Sequence, residues 1–324
     1  MPQADNLTRG AAAGRQRRWP HALAVGGLLA LPGGVYLLTL APGVGRGDSA
    51  ELQYMSPLLG ICHPPGYVTE VLCGRLFSLL PIGANVAWRI NLLMAVCGTL
   101  GCLALYGTVR RITGRVLPAL AAATTLGFSS IWWSHSLLAE AYVFYGSLLL
   151  AAVYCLTRLV ETNGARWLCL TALALGICLT GRPSELFVMP GFVGLWAATR
   201  AKVRFNARRL AAGAALLVLP LAFSVGYITW RENPRLLHAR DDALRQQILA
   251  ARSPHPRSTP QRLGQALYYA LGLKWTLGNI PASATAPQVA EAYGRHLVGL
   301  SLLGSSRTPA QPDAGPGGPA LQTS

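Results

Sequence analysis

Long apolar runs separated by short arginine clusters set the pattern of this chain. The stretches 21–41, 90–109, 116–134, 138–157, 167–181, 186–199 and 208–230 approach the roughly 20 residues a helix needs to cross a bilayer, 186–199 being short. A further run, 67–80, carries Glu70 and Arg75 and suits a helix lying at the interface rather than across it. Beyond the last stretch, Leu236, Leu237, Leu244, Ile248 and Leu249 recur at roughly helical spacing, which predicts an amphipathic surface helix over 235–250. Residues 252–260 read as a linker and 305–324 as a Pro/Gly/Ser-rich disordered end. The pattern predicts an all-α polytopic membrane protein of about seven spans, with an external juxtamembrane helix after the first.

Composition agrees. Hydrophobic residues make up 52% of the 324 and charged residues only 12%, against about 25% in a soluble domain. An ordinary soluble enzyme and chain-long disorder are both excluded. The net charge of +16 would point to nucleic acid in a soluble protein, but here the cations sit between apolar runs, as membrane loops do. No nucleic-acid partner is expected; membrane lipids are. With a cytoplasmic N-terminus, the inner loops collect 14 cations, among them Arg17, Arg110, Arg158 and Arg209, and the short outer segments only four: Arg46, Arg75, Arg89 and Arg182. The first apolar run is long for a signal peptide and reads as an uncleaved anchor. The expected organisation is a basic cytoplasmic N-terminus (1–20), a membrane domain (21–230) with a catalytic external loop (42–89), an external amphipathic tail (231–304) and the disordered end (305–324).

Cys97, Cys102, Cys155, Cys169 and Cys178 lie inside apolar runs, and neither Cys62 nor Cys73 belongs to a CxxC or Cys/His pattern, so no metal site is expected from them. Ionisable groups at membrane level are expensive and mark function by default. In this topology they fall on the outer side: Asp48, Glu51 and His63 after the first span, His135 and Glu140 after the third, Arg182 and Glu185 after the fifth, with Arg89 and Asn91 opening the second. Each has a plainer reading. Asp48 and Glu51 could form a helix N-cap and capping box, and His63 could sit in a rigid turn before Pro64, Pro65 and Gly66. His135 and Glu140 could belong to an interfacial belt beside Trp132 and Trp133, and Arg182 could snorkel to headgroups. Their shared face favours a site.

Three segments, GDSAELQ from Gly47, LGICHPPGY from Leu59 and LPIGANVAWRINLL from Leu80, occur in an order and spacing that resembles the family filed as domain of unknown function 2723, the transmembrane protein 260 type protein O-mannosyltransferases; AEAYVF from Ala139 adds to the likeness. The resemblance covers roughly 35–200 and extends to the GT-C superfamily of membrane glycosyltransferases. Family members continue with more spans, whereas a polar tail follows here. The resemblance implies a GT-C-type fold and transfer of a sugar, mannose by family, from a polyprenyl or dolichyl phosphate donor to Ser or Thr of a secreted or surface protein, with inversion. Asp48 would be the general base, with Glu51 on the same face as a catalytic partner that orients the acceptor or tunes the base. His63, Arg89 and Arg182 would bind the donor phosphate, and Pro64, Pro65, Gly66, Asn91, His135 and Glu140 complete the candidate site. No cofactor is certain; some superfamily members use a divalent ion and others do not. The membrane would be the bacterial cytoplasmic one with an outward-facing site, or the endoplasmic reticulum in a eukaryote. The alternative class is a transporter or a non-catalytic lipid-handling or partner subunit.

Overall fold

The structure, a computed structural model, describes residues 20–182, 189–199, 206–231 and 258–270. Among these there is no strand; the architecture is all-α. Helix α1 covers Pro20–Thr39. It widens to a π-turn at Leu29–Gly33, where Pro32 cannot donate to the helical ladder. Two short helices follow, α2 (Asp48–Leu58) and α3 (Val68–Ser78), and then α4 (Val86–Thr113). With 28 residues α4 is about 42 Å long. Next come α5 (Val116–Gly127), α6 (Ser130–Leu137), α7 (Ala141–Thr162), α8 (Ala165–Gly181), α9 (Met189–Thr199), α10 (Ala207–Arg231) and α11 (Thr259–Ala270).

Four helices are long and apolar enough to cross a membrane: α1, α4, α7 and α10. Helices α5 and α6 pass that test only together, and they bend by 61° at Phe128–Ser129, so they make a fifth span if one broken span is counted. The Tyr36 hydroxyl donates to the Gly127 carbonyl at 2.6 Å, satisfying an acceptor that the break releases. Helix α8, with 17 residues, is apolar but shorter than those four, and of 186–199 only α9 is described. Among the described residues four to five spans pass by length and composition, against the expected count of about seven along the chain. The run 67–80 does fold as an 11-residue helix, α3, too short to span. Thr259–Ala270 forms a helix that begins inside the expected linker. The basic N-terminus (1–19), Glu185, the helix expected over 235–250 and the end at 305–324 lie outside the described residues.

Large apolar side chains point outward along the spans, including Leu23, Leu31, Leu38, Leu100, Ile131, Val218 and Phe223. In water such a surface would be costly; in lipid it is the ordinary exterior. The interior is built around α4, whose Leu93, Met94 and Ala95 meet Val143 and Tyr145 of α7 and Tyr36 of α1. All seven cysteines are free thiols.

Helix ends sort into two groups. Arg111 at the end of α4 pairs with Glu161 at the end of α7, and Arg209 at the start of α10 donates to the Asn163 carbonyl at 3.3 Å. At the opposite end, the loop after α1 joins the turn after α6 through Ala41 N–H to the Leu137 carbonyl (3.2 Å). There Tyr227 and Arg231 of α10 donate to the carbonyls of Leu59 (2.6 Å) and Leu58 (2.9 Å). Helices α2 and α3 therefore cap one end of the bundle, and Arg110, Arg111, Arg158, Arg166 and Arg209 lie at the other.

Candidate active site

Helix α2 begins at Gly47, whose φ of +58° and ψ of −130° only glycine adopts cheaply, and this sharp entry places Asp48 in the first turn. Glu51 is three residues on, on the same face. No side chain caps the helix, so the capping-box reading is not realised. Instead Glu51 turns to the HPP segment: Oε1 accepts the His63 backbone N–H at 2.9 Å, and Oε2 lies 2.6 Å from His63 Nδ1. A carboxylate is acceptor only, so Nδ1 carries the hydrogen and Nε2 is turned toward Asp48, 3.9 Å from its Oδ2. The Asp48 side chain is 61% exposed, against 20% for Glu51 and 27% for His63. One donor atom from each of the three lies within 4.8 Å of the others, a spacing that would also hold a metal ion.

The HPPG turn is packed, not loose. Pro64, Pro65 and Gly66 are buried. Gly66 has φ +94°, and a Cβ there would come within 3.1 Å of Ile228 on α10. Tyr67 follows with φ +47°, a left-handed conformation rare for an aromatic residue and characteristic of functional turns. Its ring meets the His63 ring edge-on, centroids 5.1 Å apart, and lies 6.2 Å from Tyr145. Burial raises the Tyr67 phenol pKa, the charges of Glu70 and Asp48 raise it further, and Arg182 opposes them. The Arg182 guanidinium also stacks over Tyr142 at 4.6 Å, and the His135 ring approaches Tyr142 at 4.6 Å.

Glu140 joins the site through Ser49, whose hydroxyl donates to Oε1 at 2.8 Å. Asn91 and Arg89 do other work. Asn91 is fully buried; its Oδ1 accepts from Gln53 Nε2 (2.6 Å) and the Ala139 N–H (3.0 Å), while its Nδ2 donates to the Ala41 carbonyl (3.0 Å). Arg89 donates to the carbonyls of Ser78 (2.7 Å), Leu80 (2.8 Å) and Asn85 (3.3 Å), closing the C-terminal end of α3. None of these Arg89 bonds reaches the acid–imidazole group, and the geometry gives it a bracing role.

Sequence reasoning missed Tyr67, Ser49 and Gln53 as site-shaping groups, although all three stand inside the quoted motifs. Glu70 served there only to argue against a span. The structure buries it completely, with neither carboxyl oxygen hydrogen-bonded to a described residue, and burial together with the Glu140 charge raises its pKa to about 8.

An all-α, polytopic membrane protein with an acid–imidazole site capping one end of its helices is the class that fold and site define. Residues 48–204 match the family model for the protein O-mannosyl-transferase TMEM260 N-terminal domain. The chain is 35% identical over 137 residues to protein O-mannosyl-transferase TMEM260 of Mus musculus, covering 41% of this chain and 19% of the relative. It is 29% identical over 143 residues to protein O-mannosyl-transferase tmem260 of Dictyostelium discoideum, covering 41% and 18%. The chain thus spans about a fifth of the length of these curated relatives. No solved structure matches.

Proposed function

We propose that this chain is a membrane glycosyltransferase that moves mannose from a polyprenyl or dolichyl phosphate donor to Ser or Thr of a protein acceptor, inverting the anomeric carbon. Two named protein O-mannosyl-transferases support the reaction class. The observation that carries the residue assignment is the division of labour among three side chains: Glu51 is engaged with His63, while Asp48 faces outward at the start of α2. A base needs a carboxylate oxygen open to the acceptor hydroxyl, which the exposed Asp48 offers.

In this reading Asp48 takes the proton of the acceptor hydroxyl as that oxygen attacks the sugar carbon. The bond from that carbon to the phosphate oxygen breaks, and its electron pair leaves on the lipid phosphate. Such a leaving group needs no general acid; it needs cations for its charge. In this reading the Nε2 edge of His63, 3.9 Å from Asp48, and Arg182, stacked over Tyr142, supply them, with Arg suited to planar, charge-assisted contacts. Glu51 orients His63. A divalent ion would be held by Asp48, Glu51 and His63 and would neutralise phosphate charge there. The acceptor protein would approach from the non-cytosolic side, where the site end faces in this reading.

The Asp48→Asn variant, assayed in membranes with a polyprenyl-phosphate mannose donor, is expected to lose transfer by about 10²–10⁴-fold at normal expression. Unchanged transfer would remove Asp48 from the chemistry.

A further inference from the structure

The end of the bundle opposite the acid–imidazole group carries a cluster of arginines that the proposed reaction leaves unused. Arg110 and Arg111 close α4, Arg158 lies near the end of α7, and Arg166 is at the start of α8. Glu161 accepts from both Arg111 and Arg158, so one carboxylate is shared between two guanidinium groups. Arg158 and Arg166 both stack on a single indole, 5.0 and 4.9 Å from the Trp167 ring. Two cations are thereby held within about 10 Å of each other, the order of one Debye length, with no acidic residue in the first turn of α8. Trp167 Nε1 and Arg158 Nε are buried and make no hydrogen bond to a described residue.

We infer that Arg158, Arg166 and Trp167, backed by Arg111, form a binding site for the headgroup of an anionic phospholipid. A phosphodiester supplies what this corner is short of: negative charge for paired guanidiniums. An indole at the level of the helix ends suits the headgroup layer, and basic clusters between transmembrane helices hold anionic lipid by this chemistry. Position favours a lipid over a soluble anion. The site lies at the end of α7 and the start of α8, where the apolar flanks of the spans meet the charged rim, so acyl chains continue along the exposed Leu170. The assignment stands apart from the transferase reading, because it uses none of the groups placed in that reaction.

The test is lipid binding to the purified full chain by native mass spectrometry, with thermal unfolding in parallel. The probes are phosphatidylglycerol, phosphatidylcholine and inorganic phosphate. Phosphatidylglycerol is expected to bind and raise the unfolding temperature, and the other two are not. Arg166→Gln, at an exposed position, should weaken phosphatidylglycerol binding about fivefold, and the Arg158→Gln/Arg166→Gln pair further. Arg115→Gln, an exposed arginine outside the cluster, should leave it unchanged. Equal binding of phosphatidylcholine, a matching effect of inorganic phosphate alone, or full affinity in a folded Arg166→Gln variant would each overturn the assignment.

Discussion

Glu70 shows what a single side chain contributes. Its carboxyl is buried in α3, and its pKa rises from an ordinary 4.5 to about 8 because burial penalises the charge and the Glu140 charge repels it. The folded protein therefore keeps the proton up to about pH 8, whereas the unfolded chain releases it near 4.5. Between those values the folded state binds the extra proton, so the stabilisation is complete below the unfolded pKa and is lost as pH rises through the folded one. Glu70→Gln, uncharged at every pH, removes this dependence. Its unfolding temperature in detergent should match the parent near pH 4.5, exceed it increasingly up to about pH 8, and then hold a constant margin worth a few kcal/mol. Parallel curves across that window would show that the carboxyl is solvated or paired. Tyr67 belongs to the same neighbourhood: its left-handed backbone turns the ring toward His63, and nothing in a lone Tyr after HPPG announces a positive φ.

At the scale of elements, one buried amide ties the cap to the spans. Asn91 on α4 joins Gln53 of α2, the loop at Ala41 and the turn at Ala139, one residue before Glu140. Asn91→Ala leaves the Gln53 amide and the Ala139 N–H short of an acceptor, at about 1–3 kcal/mol each. A loss of about 2–4 kcal/mol is expected, read as a lower unfolding temperature, together with weaker transfer whose pH profile keeps its shape. An altered pH profile would instead make Asn91 part of the acid–base set. Much at this scale was legible in the chain. Apolar length gave α1, α4, α7 and α10, and the Glu70/Arg75 interruption gave α3 as a non-spanning helix. The grouping of Asp48, Glu51 and His63 followed from i,i+3 spacing and from the motif. The rest depended on long-range packing that no local pattern carries. The 61° break between α5 and α6 shows only as Phe128–Ser129 in the sequence, yet it rests on Tyr36, ninety-one positions from Gly127. Arg89 looked like a phosphate ligand because it is an arginine near the acids, and the fold spends it on the carbonyls that end α3.

For the whole molecule, the separation of charge between the two ends is the property on which sidedness turns. Connectivity alone brings Asp48, His63, Glu140 and Arg182 to one end: α1 and α6 finish there, α4 and α7 start there, and α8 ends there. The same alternation sends Arg111, Arg158, Arg166 and Arg209 to the other, where they meet Glu161, Trp167 and Asn163. Retained arginines in short loops mark the cytosolic face, so the acid–imidazole end should face away from the cytosol. Cysteines placed one at a time at exposed positions decide the matter against the background of the native thiols. Arg46→Cys and Ile82→Cys sit at the acid end, and Arg115→Cys and Thr162→Cys at the arginine end. In sealed, right-side-out membranes a charged maleimide is expected to label the first pair directly and the second pair only after permeabilisation. Labelling of Arg46→Cys and Arg115→Cys from the same side would break the alternation of spans. The acid–imidazole group and Arg182 could then no longer share one face, and a common pocket for donor phosphate and acceptor hydroxyl would be ruled out. The reverse polarity, with the arginine end labelled first, would keep the pocket but move it to the cytosol, which would remove secreted and surface proteins as acceptors.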